Sequence, residues 1–194
     1  MVAMTDSATL IPILRENALH ARRKMHAAER ARASRRIADR FLNSRYFLSS
    51  QSIACYLATW DEVDTNRIIE RAWRAKKRIF APVIDSHDDM TFRNLQPETT
   101  VTRNRFGIWE PESDFRIDPS DLDIVVTPLV AFDNACNRIG MGGGYFDRHF
   151  AFLQSRRSWL RPKLIGLAFD CQKVEKITPN RWDIRLSRVV SESD

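Results

Sequence analysis

Four short runs of almost unbroken apolar, partly β-branched residues punctuate this chain: SIACYLA (52–58), RIFAPVI (78–84), DLDIVVTPLVAF (121–132) and KLIGLAFD (163–170). Strands that are apolar on both faces belong to a sheet covered on both sides. Mainly parallel sheets meet that condition, because helices make their crossovers. The segments between the runs supply such helices. Asp64 or Thr65 is placed to cap one running through Ile68, Ile69, Ala72 and Trp73. GYFDRHFAFL (144–153) reads as another, and RLSRVVSE (185–192) as a closing strand. MTFRNL (90–95) is expected to form a hairpin-like third strand. Upstream, Leu10, Ile13 and Leu14 begin a helix in which Pro12 is tolerable only in the first turn. Ala33, Ile37, Ala38, Phe41 and Leu42 mark the apolar face of a second helix. The expectation is an α/β fold with one domain over residues 1–194. Its mainly parallel sheet is flanked by helices on both faces, a Rossmann-like three-layer arrangement, and residues 1–50 form a basic helical segment. In such sheets ligands bind in the loops at the carboxyl ends of the strands.

Charge narrows the partners. The net +6 lies entirely within residues 1–50, which hold ten Lys/Arg and four Asp/Glu, whereas residues 51–194 hold 21 of each. Arg32, Arg35, Arg36 and Arg40 form the polar face of the second helix. A solvated surface explains them, and a positive wall beside an anionic ligand is the sharper alternative. Aromatic residues are not interleaved with these charges, so nucleic acid is disfavoured as a partner. Cys55, Cys136 and Cys171 are far apart and form no CxxC pair, which argues against a disulfide framework or a zinc site and for a reducing cytoplasm. His20, His26, His87 and His149 show no metal-ligand spacing. The N-terminus lacks a basic region followed by a long apolar stretch, and no run reaches the roughly 18 apolar residues of a membrane helix. No membrane partner is expected.

Two strand-end loops carry candidate chemistry. TWDEVDT (59–65) places acids before a helix; capping explains Asp64 well and Glu62 less well. AFDNACNRIGMGGGYFDRHF (131–150) concentrates four of the six glycines between Gly140 and Gly144. Glycines let backbone approach a ligand closely, and a helix start beyond them attracts phosphate. Arg138 and Arg148 flank the cluster and are suited to phosphate oxygens. Asp133 and Asp147 bracket it and are suited to magnesium. There is no GxxxxGK[ST] motif, so this is not a Walker loop. A third loop, NRFGIWEP (104–111), offers aromatics for a flat heterocycle or for the core.

The run TPLVAFDNACNRIGMGGGYFDR resembles the signature of the 5-formyltetrahydrofolate cyclo-ligase family, also called methenyltetrahydrofolate synthetase. PILRENALHARRKM, YLATWDEVDTNRII, RIFAPVI, RFGIWEP and NRWDIRLSRVVSE are similar to that family's other segments, in the same order, so the resemblance covers nearly the whole chain. It implies ATP- and magnesium-dependent conversion of 5-formyltetrahydrofolate to 5,10-methenyltetrahydrofolate with release of ADP and phosphate. The γ-phosphate would pass to the formyl oxygen before N10 closes the ring. By resemblance, Arg15 and the loop Arg138, Ile139, Gly140, Met141, Gly142, Gly143, Gly144, Tyr145 and Phe146 bind ATP, with Arg138 and Tyr145 catalytic. Leu57, Glu62, Phe106 and Met141 through Tyr145 border the folate. Asp147 and Asp183 match the magnesium-linked aspartates. A cytoplasmic monomer is expected.

The chain departs from the family pattern at four positions. Ile11 stands where a Lys is usual, Cys136 where Gly is frequent, Phe146 at the second aromatic of a Tyr-Tyr pair, and Trp182 in place of His. Isoleucine offers phosphate no charge, so that role would fall to a neighbour such as Arg22 or Arg23. Two other readings stay open: a non-catalytic relative that binds folate or nucleotide, and RNA binding through the basic helices.

Overall fold

The computed structural model of the protein describes residues 7–85, 89–155 and 161–193; His87 lies outside them. In chain order the helices and strands are α1 (Ser7–Lys24), α2 (Ala27–Leu42), α3 (Arg45–Ser49), β1 (Ser52–Cys55), α4 (Asn66–Arg74), β2 (Arg78–Ile84), β3 (Met90–Asn94), β4 (Val101–Arg103), β5 (Trp109–Pro111), β6 (Arg116–Ile117), β7 (Ile124–Thr127), β8 (Ala131–Phe132), β9 (Arg138–Ile139), α5 (Tyr145–His149), α6 (Phe152–Ser155), β10 (Lys163–Leu167) and β11 (Arg188–Val190). Short 3-10 turns occupy Pro119–Asp121 and Asp170–Gln172.

Seven strands form one sheet in the order β11-β10-β7-β1-β2-β3-β6. β11, β10, β7, β1 and β2 run parallel, while β3 and β6 add an antiparallel edge. The expected mainly parallel sheet is therefore present, and MTFRNL pairs back on RIFAPVI as expected. Alternation along each strand divides the core in two. Ile53, Cys55, Ile79, Ala81, Ile124, Val126, Ile165 and Leu167 pack with Ile37, Phe41, Phe47, Ile68, Ile69 and Ala72, under α2, α3 and α4. Ala54, Phe80, Val125 and Leu164 face the other way, against Phe92, Phe150, Leu186 and the half-buried rings of α5 and α6. Helices thus cover both faces of a single α/β domain.

Some expected boundaries are corrected. DLDIVVTPLVAF is not one strand: β7 ends at Thr127, before Pro128, which has no N–H for the ladder. Ala131 and Phe132 then pair with Ile139 and Arg138 in a separate two-stranded sheet. GYFDRHFAFL is not one helix but α5 and α6, separated at Phe150 and Ala151. Pro12 is the sixth residue of α1, beyond its first turn, because the helix starts at Ser7 rather than near Leu10. Thr65 stands at the α4 N-cap but makes no side-chain capping bond: its hydroxyl donates to Tyr56 O at 2.8 Å, and Asp64 accepts from Asn66 N–H at 2.9 Å. No helix among the described residues is long and apolar enough to cross a membrane.

Candidate active site

At the carboxyl ends of β1, β7 and β10 three chain segments converge: the 56–65 loop, the 128–144 segment and the Asp170–Gln172 turn. Gln172 is buried and its amide donates to Leu129 O (3.0 Å) and Val130 O (2.9 Å), fastening the end of β10 to the exit of β7. α1 crosses the same edge. Its Ala18 is buried with Val130, Ala131, Ile139 and Ile177, and Ile11, Leu14 and Leu19 pack around them. Ile11 therefore serves as an apolar contact where the family pattern has a lysine.

The glycine loop is shaped from both sides. Gly142 (φ +104°) and Gly144 (φ +66°) hold left-handed backbone that other residues adopt only with strain. A Cβ on Gly143 would lie 2.7 Å from the Tyr145 ring. Arg15 Nε donates to Gly140 O at 2.8 Å, and Arg148 Nη1 donates to Gly143 O at 2.7 Å. Two loop carbonyls are thus satisfied by guanidinium groups. The N–H groups of Gly140, Met141, Gly142 and Gly143 have no hydrogen-bond partner among the described residues. Unpaired amides with a guanidinium on either side are chemically suited to an anion. The helix that follows is shorter than expected, so the cradle is a matter of loop amides more than of a helix dipole.

Arg138 does not sit as the sequence suggested. Its side chain is only 5% exposed: Nη2 pairs with Asp147 Oδ1 at 2.7 Å and Nη1 donates to Ile184 O. Ile184 N–H also donates to Asp147 Oδ1, at 2.9 Å. Arg138 thus clamps β9 to α5 and to the 183–184 segment instead of presenting its charge to solvent. Phe146 is half-buried and stacks on Phe150 (6.2 Å, 30°). Ile139 is buried, whereas Met141 is exposed. Phe106, at the tip between β4 and β5, meets Tyr145 edge-on at 6.5 Å, and the Arg148 guanidinium lies 5.1 Å from the centre of the Tyr145 ring. Glu110 Oε1 anchors this tip by accepting from Ile84 N (2.9 Å) and Asn104 Nδ2 (2.7 Å).

On the β1 side, Glu62 Oε2 accepts from Thr59 N–H at 2.9 Å, and Leu57 is half-buried on the core. Beside them lies a pair that sequence reasoning missed. Arg22 and Asp61 are both buried, with Nη2 and Nε of Arg22 at 2.9 and 3.2 Å from Asp61 Oδ2 and Nη1 at 3.4 Å from Leu129 O. Arg22 is therefore not available to take the role of a lysine at position 11. The seven-residue spacing of Arg15 and Arg22, about two helical turns, was the signal that both point the same way. Burial would raise the Asp61 carboxyl, but the charge and hydrogen bond of Arg22 and the Thr59 hydroxyl hold it below the usual carboxylate range. By contrast Arg32, Arg35, Arg36 and Arg40 are exposed, a solvated face.

Asp133 is a loop brace, not a metal ligand. Its buried carboxylate accepts from Ala135 N, Asn137 N, Asn137 Nδ2 and Ile177 N, all at 2.9–3.0 Å. Burial raises its pKa, and these donors lower it to a net value below the usual range. Cys136, in the left-handed region at φ +62°, occupies the turn that Asp133 braces, which explains why glycine suits that position. No group of three His, Cys, Asp or Glu side chains among the described residues is arranged as a metal cage. Magnesium held mainly by phosphates and water asks for only one or two carboxylates. Asp147 engages one oxygen, Oδ1, with Arg138 and Ile184, and Asp183 engages one, Oδ2, with Asn180 N–H at 2.7 Å. The other oxygen of each fits that modest demand.

Residues 11–192 match the model of the 5-formyltetrahydrofolate cyclo-ligase family. The 5-formyltetrahydrofolate cyclo-ligase of Escherichia coli (strain K12) is 36% identical over 178 residues, 89% of this chain and 94% of that protein. That of Haemophilus influenzae is 33% identical over 171 residues, 85% of this chain and 88% of its own length. Among solved structures, the 5,10-methenyltetrahydrofolate synthetase of Aquifex aeolicus superposes with a TM-score of 0.81 at 27% identity, covering 95% of this chain and 91% of that one. The synthetase of Mycoplasma pneumoniae shares the fold, with a TM-score of 0.73 at 22% identity over 94% and 98% of the two chains.

Proposed function

The chain belongs to the 5-formyltetrahydrofolate cyclo-ligase family, and from that premise we propose that it converts 5-formyltetrahydrofolate and ATP into 5,10-methenyltetrahydrofolate, ADP and phosphate. The γ-phosphoryl group passes to the formyl oxygen. N10 then attacks the activated carbon and loses its proton, and phosphate leaves as the C–N bond closes. Such transfer depends mostly on placement and charge neutralisation. The open amides of Gly140–Gly143 hold the phosphates, with Arg15 and Arg148 supplying positive charge at the rim. Tyr145 and Phe106 border the folate. Leu57 and Glu62 face the pterin, whose 2-amino-4-oxo edge offers N–H donors to a carboxylate. Arg138 acts by holding Asp147. Asp147 and Asp183 are the residues that would hold magnesium, which neutralises phosphate charge when bound.

The observation that supports this reading is the edge-on contact of Phe106 with Tyr145, which brings the β4–β5 tip against the glycine loop. The chain acts as a monomer, and three free thiols suit a reducing cytoplasm. The test is the near-ultraviolet absorbance of the methenyl product from 5-formyltetrahydrofolate. It rises only with ATP and magnesium; no rise at saturating ATP refutes the reading, and calorimetric binding without turnover would mark a non-catalytic relative.

A further inference from the structure

We propose that Arg22, through its buried pair with Asp61, is a positioning residue that sets the separation of the nucleotide loop and the β1 loop; this rests on the cyclo-ligase reading. Arg15 and Arg22 leave α1 on the same face, about 10 Å apart along its axis. Arg15 grips Gly140 O. Arg22 grips Asp61 and Leu129 O at once. Between them Ala18 is packed on Val130 and Ile139, so α1 cannot slide without emptying that contact. A continuous path of hydrogen bonds results. Glu62 Oε2 accepts from Thr59 N, the Thr59 hydroxyl donates to Asp61 Oδ1 at 3.2 Å, and Asp61 holds Arg22. Arg22 reaches Leu129 O, and the adjoining Val130 N–H donates to Ile139 O at 2.7 Å, one residue before the glycines. The proposed pterin acid and the proposed phosphate loop stand at its two ends.

Stability alone is a poor account of the pair, because desolvation offsets much of the attraction between buried charges and an apolar pair fills the same seam. Apolar side chains do not hold the Thr59 hydroxyl and the Leu129 carbonyl at one fixed separation. A guanidinium fork on Leu129 O and on the Asp61 carboxylate that takes the Thr59 hydroxyl does, and an ammonium does so less well. Misplacing reacting groups by about 1 Å costs on the order of 100-fold in rate.

The test compares Arg22→Lys and the charge-free double variant Arg22→Met/Asp61→Leu with the unaltered protein in ATP-dependent turnover, with circular dichroism and thermal melting checking the fold. The double variant, which leaves no charge buried, is expected to fold and to lose about 100-fold in kcat. Arg22→Lys recovers part of that, to about tenfold below the parent. KM for ATP and for 5-formyltetrahydrofolate each stay within about threefold, because the loops still bind and only their mutual placement is lost. A folded double variant with kcat within about twofold of the parent overturns the positioning role, as does a rise in KM with kcat unchanged. If the double variant fails to fold, Arg22→Lys decides alone: at unchanged KM, a kcat reduced about fivefold or more supports the role and a smaller change overturns it. Absence of turnover in the unaltered protein refutes the cyclo-ligase reading itself, and this inference falls with it.

Discussion

The two ends of the central sheet are closed with the same kinds of group, to different effect. At the amino end Asp123 accepts from Gln51 N (2.7 Å) and Ser52 N (3.0 Å) and pairs with Arg161 at 2.6 Å. Its own N–H donates to Ser52 O, and its carbonyl accepts from Lys163 N. Those bonds join the starts of β1, β7 and β10, which are already neighbours in the sheet. At the carboxyl end Arg22, Gln172 and Arg15 join a helix, a turn and two loops drawn from distant parts of the chain, and four main-chain amides at the centre have no partner among the described residues. One end is closed for stability. The other is satisfied around its rim, and the proposed phosphate site lies at its middle.

The contrast can be tested by substitution. The largest effect is expected for Asp61→Ala, which strands the buried Arg22 charge and costs about 3–5 kcal/mol in denaturant unfolding. A loss under about 1 kcal/mol, the scale of surface pairs, would show that water reaches the carboxyl end. Gly143→Ala comes next. Its Cβ would meet the Tyr145 ring, so turnover should fall about 100-fold, with a much smaller change in melting temperature. Asp123→Ala, at the amino end, should do the reverse: about 2 kcal/mol of stability lost with three charge-assisted bonds, and kcat unchanged. A drop in kcat like that of Gly143→Ala would abolish the distinction between the ends.

Acid sharpens the same contrast. Asp61 and Asp133 have folded pKa values below their unfolded ones, so their stabilisation is present above about pH 4 and is lost as pH falls through the folded values. Asp133→Asn should therefore be less stable than the parent at neutral pH and lose less stability between about pH 4 and pH 2. Identical acid-unfolding curves would remove Asp133 from that role. The smallest effect is expected for Arg67→Ala, which breaks the exposed pair with Asp39 (2.7 Å) on the outer helices. It should cost under about 1 kcal/mol and less at high salt.

Much of this was legible in the chain. Nearly unbroken apolar runs identified the sheet and its two covered faces, and β2 falls on the residues read as RIFAPVI. The glycine run and its flanking aspartates located the loop that Arg15 and Tyr145 surround. Legibility failed where a local pattern continued past a tertiary change of direction. Apolar character runs unbroken across Pro128, although the residues before it lie in the main sheet and those after it in the β8–β9 pair. Helical character runs from Tyr145 to Leu153, although the chain breaks at Phe150 to bury that ring beside Phe92.

Local chemistry in the sequence determined which segments are strands, where backbone can come close to an anion, and which family the chain joins. Those properties depend on residues within a few positions of one another. The tertiary structure alone decided the fate of each arginine. Arg15 finds its carbonyl 125 residues away, Arg22 its carboxylate 39 away, and Arg138 a carbonyl 46 away. A guanidinium takes whichever acceptor lies about 3 Å from it. Only the packing of α1 and β9 against the sheet brings those acceptors within reach.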